Sequence, residues 1–113
     1  VRGLADEVSL GSDHLAIPTG GRPPAIRLRI RLARALALEP KVLLAEHPNA
    51  SIPPADAPAF AADFARVVER RGLASLVLTA DRTFAGAIAG EGLTLEPATG
   101  ALKAALGWRR WFS

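Results

Sequence analysis

The apolar residues of segment 25–38 are spaced in a way that fits both a strand and a helix. Ile26, Leu28 and Ile30 alternate with arginines as in a strand, whereas Ile26, Ile30 and Ala33 also share one face of a helix. The segment is longer than an ordinary strand, and its second half is rich in helix formers. We therefore expect a helix here.

Two short and predominantly apolar runs predict strands, with a second helix between them. Residues 41–45 (KVLLA) and 75–79 (SLVLT) have the composition of strands that are buried on both faces of a parallel sheet. Between them, Phe60 and Phe64 lie at helical spacing, and Gly72 suits the end of that helix. We expect the polar face of this helix to be solvated: Asp63, Arg66, Glu69 and Arg70.

The remaining elements are shorter. Asp81 can cap a short helix that continues to Ile88, and two strands are predicted at 93–96 and from 102 onward, around a Pro-Ala-Thr-Gly turn. Residues 1–24 carry weaker patterns, a short helix followed by a loop rich in proline and glycine.

Strands that alternate with helices predict an α/β fold with parallel pairing and right-handed crossovers. In such sheets, ligands bind beside the carboxyl ends of the strands. Here those ends are Glu46–His47 and Thr79–Asp81. We therefore expect the functional residues at that edge.

Composition narrows the function classes. The 113 residues suffice for one domain, and the absence of cysteine excludes a disulfide scaffold, a thiolate metal site and a thiol nucleophile. No run approaches the roughly 18 apolar residues of a membrane span, and no leader precedes the first helix, so we expect a cytoplasmic protein. The net charge of +3 attracts polyanions only slightly, which argues against nucleic acid as the main partner.

Glu46 is the strongest candidate for chemistry from the residues alone. A carboxylate at the end of an apolar strand can hold Mg²⁺ through water beside nucleotide phosphates, and it can equally cap a loop or pair with an arginine. His47 could act as a general base or contact phosphate, or be a structural residue. Gly20 and Gly21 could cradle an anion or form a turn. Three arginines share a helix face that could bind phosphate or be solvated and paired with Glu39: Arg27, Arg31 and Arg34.

Several motifs follow one another in the order of a known family. Ala33-Arg34-Ala35-Leu36 is followed without a gap by Glu39-Pro40-Lys41 and Pro48, and the later turn reads Leu95-Glu96-Pro97-Ala98-Thr99-Gly100. Together these motifs make residues 26–103 resemble the second half of the nucleotide-binding domain of ATP-binding cassette (ABC) transporters.

At the functional positions of that family the chain has other residues. In the alignment, the Walker B aspartate position holds Glu46, the catalytic glutamate position holds His47, and the switch histidine position holds Ala80. The signature motif falls on residues 22–25 and the D-loop aspartate on Pro53, and neither keeps the family's residues. The phosphate-binding motif G-x-x-x-x-G-K-[ST], which the family carries in its first half, does not occur in this sequence.

The resemblance implies a P-loop NTPase-like parallel sheet with flanking helices, present as a partial domain and ending in a short β-hairpin. Residues 1–24 would be a loop-rich remnant of the helical and signature region, residues 25–106 the carboxyl-terminal part of the ATPase-like domain, and residues 107–113 a tail rich in Trp and Arg. The chain would then be either a fragment of a whole cassette or a natural remnant.

The function that the resemblance implies is that of an ATP-binding transporter subunit, inactive in isolation and peripheral at the inner face of the cell membrane. ATP and Mg²⁺ would be the cofactors of the intact family, with Glu46 holding Mg²⁺ through water, His47 where water is activated, and Ala80 unable to form the switch hydrogen bond. The partners would be a membrane permease subunit and a second ATPase domain.

Two alternatives stay open. The eroded motifs and the Trp-rich tail also suit a non-catalytic pseudo-cassette that docks on a permease or on a partner ATPase. The arginines of residues 22–34 would suit a basic nucleic-acid-binding protein of ABC type.

Overall fold

The computed structural model describes residues 2–11, 21–88 and 92–104, and the tail 107–113 lies outside them. In chain order the described elements are α1 (Arg2–Glu7), α2 (Pro24–Ala37), β1 (Val42–Glu46), a 3-10 helix (Pro48–Ser51), α3 (Ala57–Arg71), β2 (Ala74–Leu78), α4 (Arg82–Ile88), β3 (Leu93–Glu96) and β4 (Ala101–Ala104). Within these ranges, no helix combines the length and the apolar character needed to cross a membrane.

The ambiguous arginine-rich segment is helical, as expected. Pro24 occupies the first turn of α2, where its missing N–H costs no intrahelical hydrogen bond. The residues of α2 that are buried, Leu28, Leu32 and Leu36, are four residues apart and form one stripe along the helix. The strand-like alternation with arginine therefore has no structural counterpart.

Helix α3 supplies the largest part of the core. It buries Phe60, Ala61, Phe64 and Val67, and it ends at Gly72, whose φ of 64° is the left-handed conformation expected of glycine at that position. The prediction of a fully solvated polar face is wrong at one residue. The Asp63 side chain is only 14% exposed, because it pairs with an arginine of α2.

Strands β1 and β2 lie side by side in parallel, as predicted, with Leu44 opposite Leu76 and Glu46 opposite Leu78. The prediction that both faces of these strands are buried is wrong. Leu43 is 7% exposed, whereas its neighbour Leu44 is 76% exposed. The physical reason is that the core residues of α2 and α3 pack against one face only, and no described residue covers the other.

The chain's last described elements form the expected hairpin. Strands β3 and β4 pair antiparallel around a turn in which the N–H of Gly100, at a φ of 72°, donates to the carbonyl of Glu96 at 2.7 Å. This hairpin and the β1–β2 pair are separate two-stranded sheets. The fold is thus mixed α/β with a short parallel pair and a carboxyl-terminal hairpin.

Arg29 of α2 joins three elements. Its Nη1 atom lies 2.5 Å from Asp63 Oδ2 of α3 and 2.9 Å from the Val8 carbonyl beyond α1, and its guanidinium lies 5.8 Å from the ring centre of Phe60. Burial raises the pKa of Asp63, but the hydrogen bond and charge of Arg29, with the charge of Arg66, outweigh burial and hold that pKa below its ordinary value.

Arg71 provides a second link at the other end of α3. Its guanidinium forms a two-pronged ion pair with Glu7 of α1, at 2.5 and 2.7 Å, and donates to the Leu36 carbonyl in the last turn of α2 at 3.1 Å. The hydrogen bond from Arg71 is the main reason why the pKa of Glu7 lies below its usual value. Arg71 therefore ties the ends of three helices together.

Replacing Arg29 with methionine should lower the free energy of unfolding by about 2–3 kcal/mol, because it leaves the Asp63 carboxylate half-buried without its main partner. The measurement is urea unfolding at neutral pH. Arg82→Met is the matched control, since Arg82 is exposed at the start of α4 and has no partner in the described part of the chain; it should change stability by less than about 0.5 kcal/mol. Equal effects of the two substitutions would contradict the proposed role of Arg29.

The ion pairs of Glu7 and Asp63 also predict a loss of stability in acid. Both carboxyls have lower pKa values in the folded chain than in the unfolded chain, so the unfolded chain binds more protons as the pH falls. The stabilisation is complete above about pH 5 and is lost as the pH falls through the folded pKa values. Urea midpoints measured from pH 6 to pH 3 should fall steeply, and the Glu7→Gln/Asp63→Asn variant should show a shallower decline. An unchanged slope in that variant would show that other groups control acid unfolding.

Candidate functional site at the carboxyl edge of the parallel strands

Both parallel strands end at the same edge, where the sequence predicts functional residues. Because Glu46 is opposite Leu78 in the register, Glu46 and His47 meet the segment Thr79–Asp81 directly beyond the strands. Ala80 lies in this segment and is exposed. The edge therefore gathers the predicted residues of two segments that are more than 30 residues apart in sequence.

The backbone of His47 is fixed, whereas its imidazole is exposed. Its N–H donates to the Leu78 carbonyl at 2.7 Å, which extends the β1–β2 hydrogen-bond ladder by one residue. Its φ of 46° is left-handed, which turns the chain from β1 into the 3-10 helix. The side chain has no hydrogen-bond or ion-pair partner in the described part of the protein, so it is accessible to a ligand at the edge.

Three polar side chains join the two segments. The Thr79 hydroxyl donates to Asn49 Oδ1 at 3.0 Å and accepts the N–H of Asp81 at 3.1 Å. The Asn49 amide in turn donates to Asp81 Oδ2 at 3.4 Å. This Asn49–Thr79–Asp81 network holds the 3-10 helix against the start of α4.

Asp81 is committed to structure, as its predicted capping role requires. Its Oδ1 accepts the N–H of Phe84 at 3.0 Å, which satisfies one of the free N–H groups in the first turn of α4. The prediction that Asp81 caps this helix is confirmed. Asn49 was not singled out from the sequence, although its position three residues beyond the end of β1 places it at the predicted edge.

Glu46 is the free carboxylate of the edge. It is exposed, and it forms no hydrogen bond or ion pair with any described residue. Nowhere in residues 2–11, 21–88 and 92–104 do three or more Asp, Glu or His side chains converge as a metal site would require. Since Mg²⁺ beside a nucleotide is typically held by one or two carboxylates and the phosphates, Glu46 fits the role of a water-mediated ligand but does not form a site on its own.

The other described residues that the sequence singles out do not contact the Asn49–Thr79–Asp81 network. Gly20 lies outside the described residues, and Gly21 and Pro53 are exposed. Arg27, Arg31 and Arg34 on α2 form no ion pair with Glu39 or with any other acid that the structure describes.

Comparison with known proteins found no matching protein-family model, no matching curated protein and no matching solved structure. The interpretation of the edge therefore depends on its own geometry. That geometry combines one free carboxylate, one free imidazole and a hydrogen-bonded Asn–Thr–Asp network at the common end of two parallel strands.

The two acids at this edge should respond differently to truncation. Asp81→Ala removes the α4 cap and the contact with Asn49, and it should lower the free energy of unfolding by about 1–2 kcal/mol. Glu46→Ala should change it by less than about 0.5 kcal/mol, because the carboxylate is exposed and has no partner to lose. Urea unfolding of both variants provides the comparison. A larger loss from Glu46→Ala than from Asp81→Ala would reverse the assignment of the structural and the free acid.

Proposed function

We propose that this chain is the carboxyl-terminal part of an ABC-type ATP-binding subunit, which couples ATP binding and hydrolysis to transport when complete and is inactive alone. The observation that carries the proposal is the parallel pairing of β1 and β2, with Glu46 opposite Leu78 and Ala80 two residues beyond. The two positions that the resemblance assigns to Walker B and to the switch thus end at one edge.

The order of elements gives further support. The A-R-A-L motif lies in the last turns of α2, directly before β1, and α3 crosses from β1 to β2. The Leu-Glu-Pro-Ala-Thr-Gly motif forms the turn of the terminal hairpin. This order of helix, strand, helix and strand supports the proposal, because the motifs fall on elements of the kind that the resemblance implies.

The residues of the edge suit only part of the family's chemistry. In a complete domain, Glu46 would hold Mg²⁺ through water and the exposed His47 would face the water that attacks ATP. Ala80 contributes no hydrogen bond, and the neighbouring Thr79 and Asp81 are already bonded to Asn49. Because the sequence carries no phosphate-binding loop, the chain's own residues do not complete a site for Mg·ATP.

A second function, that of a non-catalytic pseudo-cassette, is favoured by the outer face of the β1–β2 sheet. This face presents four large apolar side chains that are 54–76% exposed: Val42, Leu44, Leu76 and Leu78. Parallel sheets are ordinarily covered on both faces, so this surface is suited to burial against another domain or another chain. Docking on a permease or on a partner ATPase would use such a surface without catalysis.

The proposal predicts that the isolated chain gains no stability from Mg·ATP. A ligand that binds the folded state raises the melting temperature only when its concentration exceeds its dissociation constant, and the effect grows with the logarithm of their ratio. About 5 mM Mg·ATP should therefore shift the melting temperature of the isolated chain by less than about 1 °C. Mg²⁺ alone and Mg·ADP serve as controls, together with the Glu46→Gln variant. A clear shift with Mg·ATP would contradict the prediction that the isolated chain does not bind nucleotide, and its loss in Glu46→Gln would assign the binding to this edge.

The coding DNA upstream of Val1 separates the two functions. An in-frame G-x-x-x-x-G-K-[ST] motif within about 150 codons, the span of one domain, would support the ATPase subunit. The longer product should then be stabilised by Mg·ATP, and Glu46→Gln should weaken that effect. A reading frame without the motif would overturn the ATPase proposal in favour of the pseudo-cassette.

A further inference from the structure

A groove runs along the edge of β1 that faces away from β2. Its one side is formed by six consecutive residues, Leu43–Pro48, and its opposite wall by Leu28, Arg31, Leu32 and Ala35 of α2. Phe60 and Phe64 of α3 contribute to its apolar lining, whereas β2 contributes no residue. The cavity volume is about 300 Å³, at the lower end of the range for ligand pockets.

The backbone of β1 offers unpaired hydrogen-bonding groups to this groove. The carbonyl of Lys41 accepts the N–H of Ala74, and the N–H of His47 donates to the carbonyl of Leu78. The odd-numbered residues at and around β1 therefore direct their N–H and C=O groups towards β2. Successive residues of a strand direct these groups to opposite sides, and those of Val42, Leu44 and Glu46 therefore point to the free edge. β1 has only β2 as a strand partner among the described residues.

An incoming strand at the free edge of β1 would lie between the exposed backbone and the side of α2. Five residues of β1 span about 16 Å, which matches an extended segment of similar length better than a compact small molecule.

The charge on the α2 wall indicates what such a segment carries. Arg31 lines the groove and is exposed, and Arg27 and Arg34 lie one turn before and after it. None of the three has an ion-pair or hydrogen-bond partner in the part of the chain that the structure describes. Of the three, Arg31 alone lines the groove, together with the carboxylate of Glu46 and the imidazole of His47 at the carboxyl end of β1, whereas Arg34 lines a second pocket beside α1. Arg31 is therefore the unpaired cation that an incoming side chain would meet.

We propose that this groove binds an extended acidic peptide segment of a partner protein, which adds to the free edge of β1 as a strand and places a carboxylate against Arg31. Main-chain hydrogen bonds to Leu44 and Glu46 supply affinity in this mode of recognition, and the side chains that face α2 supply specificity. A second copy of the chain fits less well, because each of its four described strands contains at most one acid, and that of β3, Glu96, already pairs with Lys103. The proposal does not depend on the ATPase assignment.

The test uses the synthetic peptide acetyl-Thr-Val-Asp-Val-Glu-Val-Thr-amide with a fluorescent label, and fluorescence anisotropy as the readout. A matched peptide with lysine in place of both acids should bind at least about tenfold more weakly. Two further versions of the acidic peptide carry N-methyl groups on alternate amides: one on the odd-numbered peptide residues and the other on the even-numbered ones. Strand addition predicts that one phase abolishes binding and the other retains it, because only alternate amides face β1.

Two variants of the protein complete the design. Arg31→Glu should lower the affinity for the acidic peptide by about tenfold. Arg82→Glu makes the same change of charge outside the groove and should change that affinity by less than about twofold. Circular dichroism and the urea midpoint establish that both variants are folded. Equal binding of the two N-methylated phases, equal effects of the two variants, or no binding at millimolar peptide would overturn the proposal. None of these outcomes bears on the test with Mg·ATP.

Discussion

The contact between Arg29 and Asp63 is the interaction on which the arrangement of the helices depends. It lies between α2 and α3, with side chains 11% and 14% exposed, and the same guanidinium also binds the Val8 carbonyl and lies over Phe60. A largely buried ion pair of this kind adds little to stability by itself, but the loss of one partner is costly. The pair therefore acts chiefly on specificity, since it fixes how α2 meets α3 and where the chain after α1 attaches.

The covered face of β1 and β2 is only half of what a parallel sheet ordinarily buries. Leu43 is within the core, whereas Leu44 and Leu76, paired across the two strands, are exposed together. These strands therefore carry more apolar side chains than the described residues bury. At about 25 cal/mol for each Å² of apolar surface, covering two leucines and their neighbours is worth several kcal/mol to a partner of suitable shape. The exposed apolar face is consistent with both proposed functions. The rest of an ATPase domain would bury it in the first, and a permease or partner ATPase would bury it in the second.

Local chemistry explains which parts of the fold could be predicted from the sequence. Gly72 and Asp81 act through backbone conformation and hydrogen bonds within a few residues, so their roles at the helix ends are visible in the sequence. The contact of Arg29 with Asp63 joins residues 34 positions apart, and no spacing rule selects one arginine of α2 over its neighbours. Burial of β1 and β2 on both faces was inferred from composition, which reports how apolar a strand is but not whether a second layer exists to cover it. The role of Asn49 is not predictable from the sequence for a similar reason, since its hydrogen bond with Thr79 depends on the parallel register of the two strands.

The carboxyl edge and the groove are connected through Glu46. Its carboxylate stands at the free end of β1, and its backbone groups lie on the strand edge that faces α2. A strand added along that edge would bring an acidic side chain into the groove that Arg31 and Glu46 both line, and would displace water from around Glu46. A charged side chain close to a carboxylate changes the electrostatic field around it, so the occupant of the groove would alter how strongly Glu46 attracts a cation. Asp81 is shielded from this influence, because its oxygens are already bonded to Asn49 and to the N–H of Phe84. Of the two acids at the edge, Glu46 is therefore the one that an occupant of the groove would contact.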